Sequence, residues 1–240
     1  MRPQDLFEFK DALAAAAPRP STRSSREDKK NYAERLSRSC AQLIANRLRP
    51  SFAGIVPSPD GSGQESKART SKGFKKLDVN YSTVELGLGL GVSIKTMNFP
   101  DTGGKFGKNF RRIDGELRAE ASDYHTRQPY AVLVGVFFLP AESALDAASK
   151  STMSSFARAV GIFRDRTQRR GPSDDPQLFE GFFIGLYDSE TCLCDFFDVG
   201  KAPPRARAPE GEEVLTLEAL IARITEIYDS RNNPPFDTIE

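Results

Sequence analysis

Residues 130–139 read Tyr-Ala-Val-Leu-Val-Gly-Val-Phe-Phe-Leu, an apolar run with no charged position. It falls well short of the ~18 apolar residues that a membrane helix needs. Its β-branched and aromatic residues favour a strand, yet apolar and polar positions do not alternate along it. A strand of this kind is buried on both faces, so layers must cover the sheet on either side.

The rest of the chain supplies those layers. Residues 28–48 place Tyr32, Leu36, Cys40, Leu43 and Ile44 near helical spacing. In residues 109–127, Phe110, Ile113, Leu117, Ala121 and Tyr124 fall in one narrow helical stripe. Helices are expected over 151–167 and 216–230, and strands over 179–187 and 191–199. A short helix at 3–17 is followed by a Pro- and Ser-rich linker, so residues 1–26 read as a peripheral, flexible segment ahead of a single domain at 27–240. Polar loops are expected at 57–73, 98–108 and 201–211. This order of elements predicts an α/β fold class, with a central mixed β-sheet flanked by helices.

Composition excludes several chemistries. His125 is the single histidine, so multi-histidine metal sites are impossible, and Ser-His or Cys-His catalysis would depend on that residue alone. The three cysteines, Cys40, Cys192 and Cys194, cannot build a disulfide framework. With an N-terminus that lacks the apolar core of a signal peptide, they point to a cytoplasmic protein. The net charge of +1 carries no message about partners, but its distribution does. Lys67, Arg69, Lys72, Lys75 and Lys76 form one acid-free cluster, and Lys105, Lys108, Arg111 and Arg112 form another. Such runs are usually solvated faces. These two flank residues 77–95, an adjacency that favours phosphate binding.

Residues 77–95 carry the chemistry. They read as a strand bearing Asp78, a glycine-rich turn and a second strand ending at Lys95. An aspartate and a lysine on neighbouring strands can hold a divalent cation and a phosphate together. Phosphodiester hydrolysis needs such a set: carboxylates for a hard cation, a water nucleophile and a positive group. Alternation along Val92-Ser93-Ile94-Lys95 turns Ser93 and Lys95 to the same side. Gly87, Gly89 and Gly91 leave one strand face bare for close packing. They do not form a P-loop, because Ile94 stands where a glycine is required.

Asp78, followed after 14 residues by Ser93-Ile94-Lys95, resembles the hairpin of the PD-(D/E)xK nucleases, the restriction-endonuclease-like superfamily. The helix at 109–127 and the buried strand at 130–139 follow in that family's order, and the resemblance covers about residues 28–140. Ser93 stands where the family usually has Asp or Glu. Members with a serine there take the second carboxylate from the following helix, where Glu116 and Glu120 share one flank. Glu120 is nearer the buried face and Glu116 nearer the helix start, so both remain candidates.

The resemblance implies a restriction-endonuclease-like core and a Mg²⁺- or Mn²⁺-dependent endodeoxyribonuclease, in a restriction or phage-defence setting. Asp78 with Glu116 or Glu120 would bind the metal, Lys95 would orient the attacking water, and Ser93 would sit among them. Lys72, Lys75, Lys76, Lys105, Lys108, Arg111 and Arg112 would hold the backbone of double-stranded DNA, and a homodimer would cut both strands. The alternative is a non-catalytic nucleic-acid-binding or assembly protein on the same fold, which the serine at position 93 favours.

Overall fold

The computed structural model describes residues 1–147 and 152–232. A five-stranded mixed sheet, in the order β3-β4-β5-β6-β7, forms its centre. The strands are β3 (Val79–Thr83), β4 (Gly87–Thr96), β5 (Val132–Pro140), β6 (Gly181–Tyr187) and β7 (Cys194–Asp198). β4, β5 and β6 run parallel, while β3 and β7 close the edges antiparallel. Two further strands, β1 (Ser66–Thr70) and β2 (Gly73–Leu77), form a separate antiparallel ribbon. The helices are α1 (Phe9–Ala16), α2 (Arg26–Leu48), α3 (Phe110–His125), α4 (Ser155–Arg164) and α5 (Leu217–Arg231). The α/β class with one central mixed sheet flanked by helices is the fold.

Period-two alternation sorts the strand side chains into two cores. On one face Leu90, Val92 and Ile94 of β4 and Val132, Val134, Val136 and Phe138 of β5 pack under α1, α2 and α5. On the other, Leu133, Phe137 and Leu139 meet Phe110, Ile113 and Leu117 of α3 and Phe156 and Phe163 of α4. Every residue of β5 is buried, as its unbroken apolar run predicts. At this density each buried Leu, Val or Phe contributes roughly 1.5–3 kcal/mol, and close approach demands glycine. A Cβ on Gly135 would sit 2.3 Å from the Phe182 ring, and one on Gly91 would sit 2.8 Å from Leu133 and 2.9 Å from Leu77. The bare face expected of the β4 glycines is therefore filled by neighbouring side chains.

Local signals set the helix bounds. Ser25 caps α2 by accepting from the Asp28 amide at 3.0 Å, and Glu27 and Asp28 complement the helix dipole. Ser154 caps α4 in the same way. The helix expected over 151–167 begins at Ser155, and Ser151 itself lies outside the described residues.

Two expectations are corrected. The N-terminal segment is not peripheral: Phe9, Ala12, Leu13 and Ala16 enter the core, with Phe9 stacked on Phe138 at 5.6 Å. Buried Asn46 of α2 ties it down by donating to the carbonyls of Pro3 and Leu6. The polar loop at 57–73 contains strand β1. Its Ser-Lys-Ala-Arg-Thr sequence hides only Ala68 and Thr70, too little apolar content to announce a strand. Among the described residues no helix is long and apolar enough to cross a membrane.

Candidate active site

The antiparallel register, with Val79 opposite Val92, brings Asp78 abreast of Ser93 and Ile94. Asp78 sits where the ribbon ends and β3 begins, and its Oδ2 accepts a hydrogen bond from the Ile94 amide at 2.6 Å. Because Val92 and Ile94 are committed to the α2 core, Ser93 and Lys95 point to the α3 layer. There they meet Glu120. Ser93, 2% exposed, donates its hydroxyl to Glu120 Oε1 at 2.6 Å. Lys95 Nζ lies 3.8 Å from Glu120 Oε2. Helix α3 therefore places a carboxylate between Ser93 and Lys95, and Ser93 ties it to the strand.

Glu116 does not join this group. It is exposed and forms an ion pair with Arg112 on its own helix. The flank shared with Glu120 is real, but the helix crosses the sheet so that the residue one turn further along, beside the apolar stripe, reaches the strand ends.

The electrostatics are those of a carboxyl drawn out of water beside other carboxylates. Burial, chiefly, pushes the Asp78 carboxyl up to about 6, and the charges of Glu120 and Glu65 add to the rise. The Ile94 amide and Lys95 pull against it. Glu65, which the sequence reading passed over, adopts a positive φ of 52° and pairs with Lys76 at 2.6 Å. Tyr124, one turn beyond Glu120, also faces this cluster. Burial first, then the charges on Glu120, Asp123 and Asp78, hold its phenol well above the usual range. Its hydroxyl is buried with no hydrogen-bond partner. Among the described residues no three His, Cys, Asp or Glu side chains converge as metal ligands.

The expected phosphate-holding residues divide. Lys72 and Lys75 both pair with Asp123, whose side chain is 5% exposed. Burial would raise the Asp123 carboxyl, but the two lysines outweigh it and leave it below its ordinary value. These lysines pin the ribbon to α3. Lys105 and Lys108 line a cleft of about 620 Å³ that begins at Thr96, the residue after Lys95. Its opposite wall is Arg26, Lys29 and Lys30 from the start of α2, which sequence reasoning missed. A signal existed: cations at a helix N-terminus oppose the dipole, and these share one flank. Arg112 lines the same cleft while holding Glu116, and Arg111 lines a second cavity of about 410 Å³ with Lys105, Lys108 and Arg158.

His125 belongs to another cluster. It is 1% exposed, with Nε2 3.4 Å from Glu180 Oε2. Comparison with protein-family models, curated proteins and solved structures finds no match to this chain, so the resemblance to the PD-(D/E)xK nucleases rests on Asp78, Ser93, Lys95, Glu120 and the order of the elements that carry them.

Proposed function

We propose that the chain is a metal-dependent endonuclease that hydrolyses DNA phosphodiester bonds. One observation carries the reading: Asp78, Lys95 and Glu120 converge from three elements, and Ser93, at the position of the missing strand carboxylate, holds the helix carboxylate in its place. A carboxyl raised chiefly by burial and further by the neighbouring Glu120 charge, beside a buried hydroxyl without a partner, suits a hard cation. Mg²⁺ is commonly held by one or two carboxylates, with waters and substrate phosphate completing its shell.

Asp78 and Glu120 would hold Mg²⁺ or Mn²⁺, which supplies charge neutralisation on the phosphate oxygens. Lys95, kept at the site by Glu120, is the group that orients the attacking water and offsets charge on the phosphate. Ser93 fixes the Glu120 rotamer. The cleft walled by Arg26, Lys29, Lys30, Lys105 and Lys108 receives the strand backbone. A restriction or defence setting, and a dimer that cuts both strands, follow from the family resemblance alone.

The test is plasmid cleavage in Mg²⁺ or Mn²⁺ by the full chain beside Asp78→Asn, Glu120→Gln and Lys95→Ala. Each variant is expected to lose at least ~10²-fold in rate, the scale of a displaced catalytic group, while Glu116→Gln stays within about twofold. Equal loss in Glu116→Gln and Glu120→Gln would overturn the site assignment. The second reading, a non-catalytic nucleic-acid binder, is favoured by Glu120 already being engaged through both oxygens, by Ser93 and by Lys95. It predicts salt-sensitive DNA retention and no cleavage by the wild type.

A further inference from the structure

We infer that the outward face of the β1–β2 ribbon is a stacking platform for an unpaired base of a nucleic-acid strand. The register sets Lys67 opposite Lys76 and Arg69 opposite Phe74, and directly opposed residues share a face. That face therefore carries three cations around one phenylalanine. Nothing in the fold requires this arrangement. Like charges directly opposed on a ribbon destabilise it, and Glu65 offsets only Lys76. Phe74 is 64% exposed and adds almost nothing to a core. The Arg69 guanidinium lies 5.8 Å from its ring centroid, leaving the ring's other side open.

The reverse face does the anchoring. Ala68 and Leu77 enter the α3 core, and Lys72 and Lys75 are held by Asp123. The ribbon is thus fixed by one side and presents the other, where Lys67 and Arg69 stand beside the Glu65-paired Lys76. Strand β2 runs directly to Asp78, so Phe74 stands about 13 Å along the chain from the candidate site.

An aromatic ring among cations fits a ligand with both a flat π-face and a polyanionic backbone. A duplex hides the π-faces of its bases; a single-stranded or frayed segment offers them. This deepens the nuclease reading, on which it rests for cleavage though not for binding: the substrate has an unpaired segment beside the scissile bond.

The chain contains no tryptophan, so Phe74→Trp installs a lone tryptophan at the platform, excited selectively over the tyrosines at long wavelength. The experiment measures binding in EDTA, where cleavage is absent, to a fluorescein-labelled mixed-sequence DNA strand and to the same strand annealed to its complement. Expected are tighter binding of the single strand, roughly tenfold or greater weakening by Phe74→Ala, and quenching of Phe74→Trp emission by the single strand. Arg69→Ala and Lys67→Ala should each lower the salt slope by about 0.7. Single-strand affinity unchanged in Phe74→Ala, unquenched tryptophan, or equal displacement by polyglutamate or anionic vesicles would overturn the inference. Phe74-dependent binding with no cleavage in Mg²⁺ of the plasmid, the single strand or a duplex with an unpaired end would sink the nuclease reading and leave the platform standing. Cleavage with no effect of Phe74→Ala on binding would do the reverse.

Discussion

Two carboxylate clusters of this protein, around buried Glu180 and around half-buried Asp78, are built on opposite electrostatic logic. Glu180 precedes β6 and meets Arg169 Nη1 at 2.8 Å, Arg231 Nε at 3.4 Å and the Leu133 amide at 2.8 Å, with His125 alongside. Burial pushes its carboxyl up, but His125, the Leu133 amide and Arg169 outweigh this and leave it below the ordinary value. Asp78 has one amide and one lysine against burial and two other carboxylates, and ends well above its ordinary value. Two arginines, a histidine and a backbone amide around one carboxylate lock a junction between α3, β5, β6 and α5. Around Asp78 the Ile94 amide and Lys95 do not offset burial and the charges of Glu120 and Glu65, the latter itself paired with Lys76, so the carboxyl stays raised.

The sharpest way to break this contrast is to remove Glu180. Glu180→Ala strands Arg169, whose side chain is 1% exposed, and Arg231 at 8%. Uncompensated charges at such depth cost about 3–5 kcal/mol. In a chain of this size that lowers the melting temperature by roughly 6–20 °C. A thermal melt with no loss would show that these arginines reach solvent and that the junction is not electrostatic.

Asp78 should respond with the opposite sign. Its folded carboxyl binds a proton more tightly than its unfolded one, so below about pH 4 both states are protonated and burial exacts no ionic cost. The cost grows as pH rises through the window from the ordinary value to about 6 and is complete above it, on the order of 2–3 kcal/mol. Asp78→Asn, which keeps an acceptor for the Ile94 amide, should therefore melt higher than wild type at pH 8 and equal to it near pH 4. Mg²⁺ at millimolar concentration should raise the wild-type melting temperature at pH 8 and leave Asp78→Asn unmoved, because binding to the folded state alone stabilises it. If the variant were less stable than wild type at pH 8, the account of Asp78 as a carboxylate penalised by burial and its neighbours would fall.

The contrast also separates what the chain discloses from what it hides. The fold was legible wherever apolar periodicity exists: β5 and the stripes of α2, α3 and α5 lie within a few residues of their expected bounds. The Asp78–Lys95 hairpin was legible because alternation dictates that Ser93 and Lys95 share a face. The choice of Glu120 over Glu116 was not, since both share a helix flank and only the angle at which α3 crosses β4 decides between them. The ribbon was hidden because its buried side is one alanine, one threonine and one leucine, and the wall from Arg26 to Lys30 because its distance from Lys105 in sequence exceeds any local pattern. The lone histidine, conspicuous in the composition, proved to be a partner of Glu180.

The smallest expected effect tests the join between strand and helix. Ser93→Ala removes one buried hydrogen bond to Glu120, worth about 1 kcal/mol, and should lower the melting temperature by roughly 2–4 °C. If that hydroxyl holds Glu120, the loss disappears in a Glu120→Ala background, which leaves no acceptor, so the pair couples by most of that ~1 kcal/mol in a double-mutant cycle. Under the metal-dependent reading, Ser93→Ala also raises the Mg²⁺ concentration needed for half-maximal cleavage, because one of two carboxylates is no longer held in place. Additive losses in the cycle would make Ser93 a bystander. They would also return the site to a single anchored carboxylate, Asp78, distinguished from the locked cluster at Glu180 only by the direction in which its carboxyl is shifted.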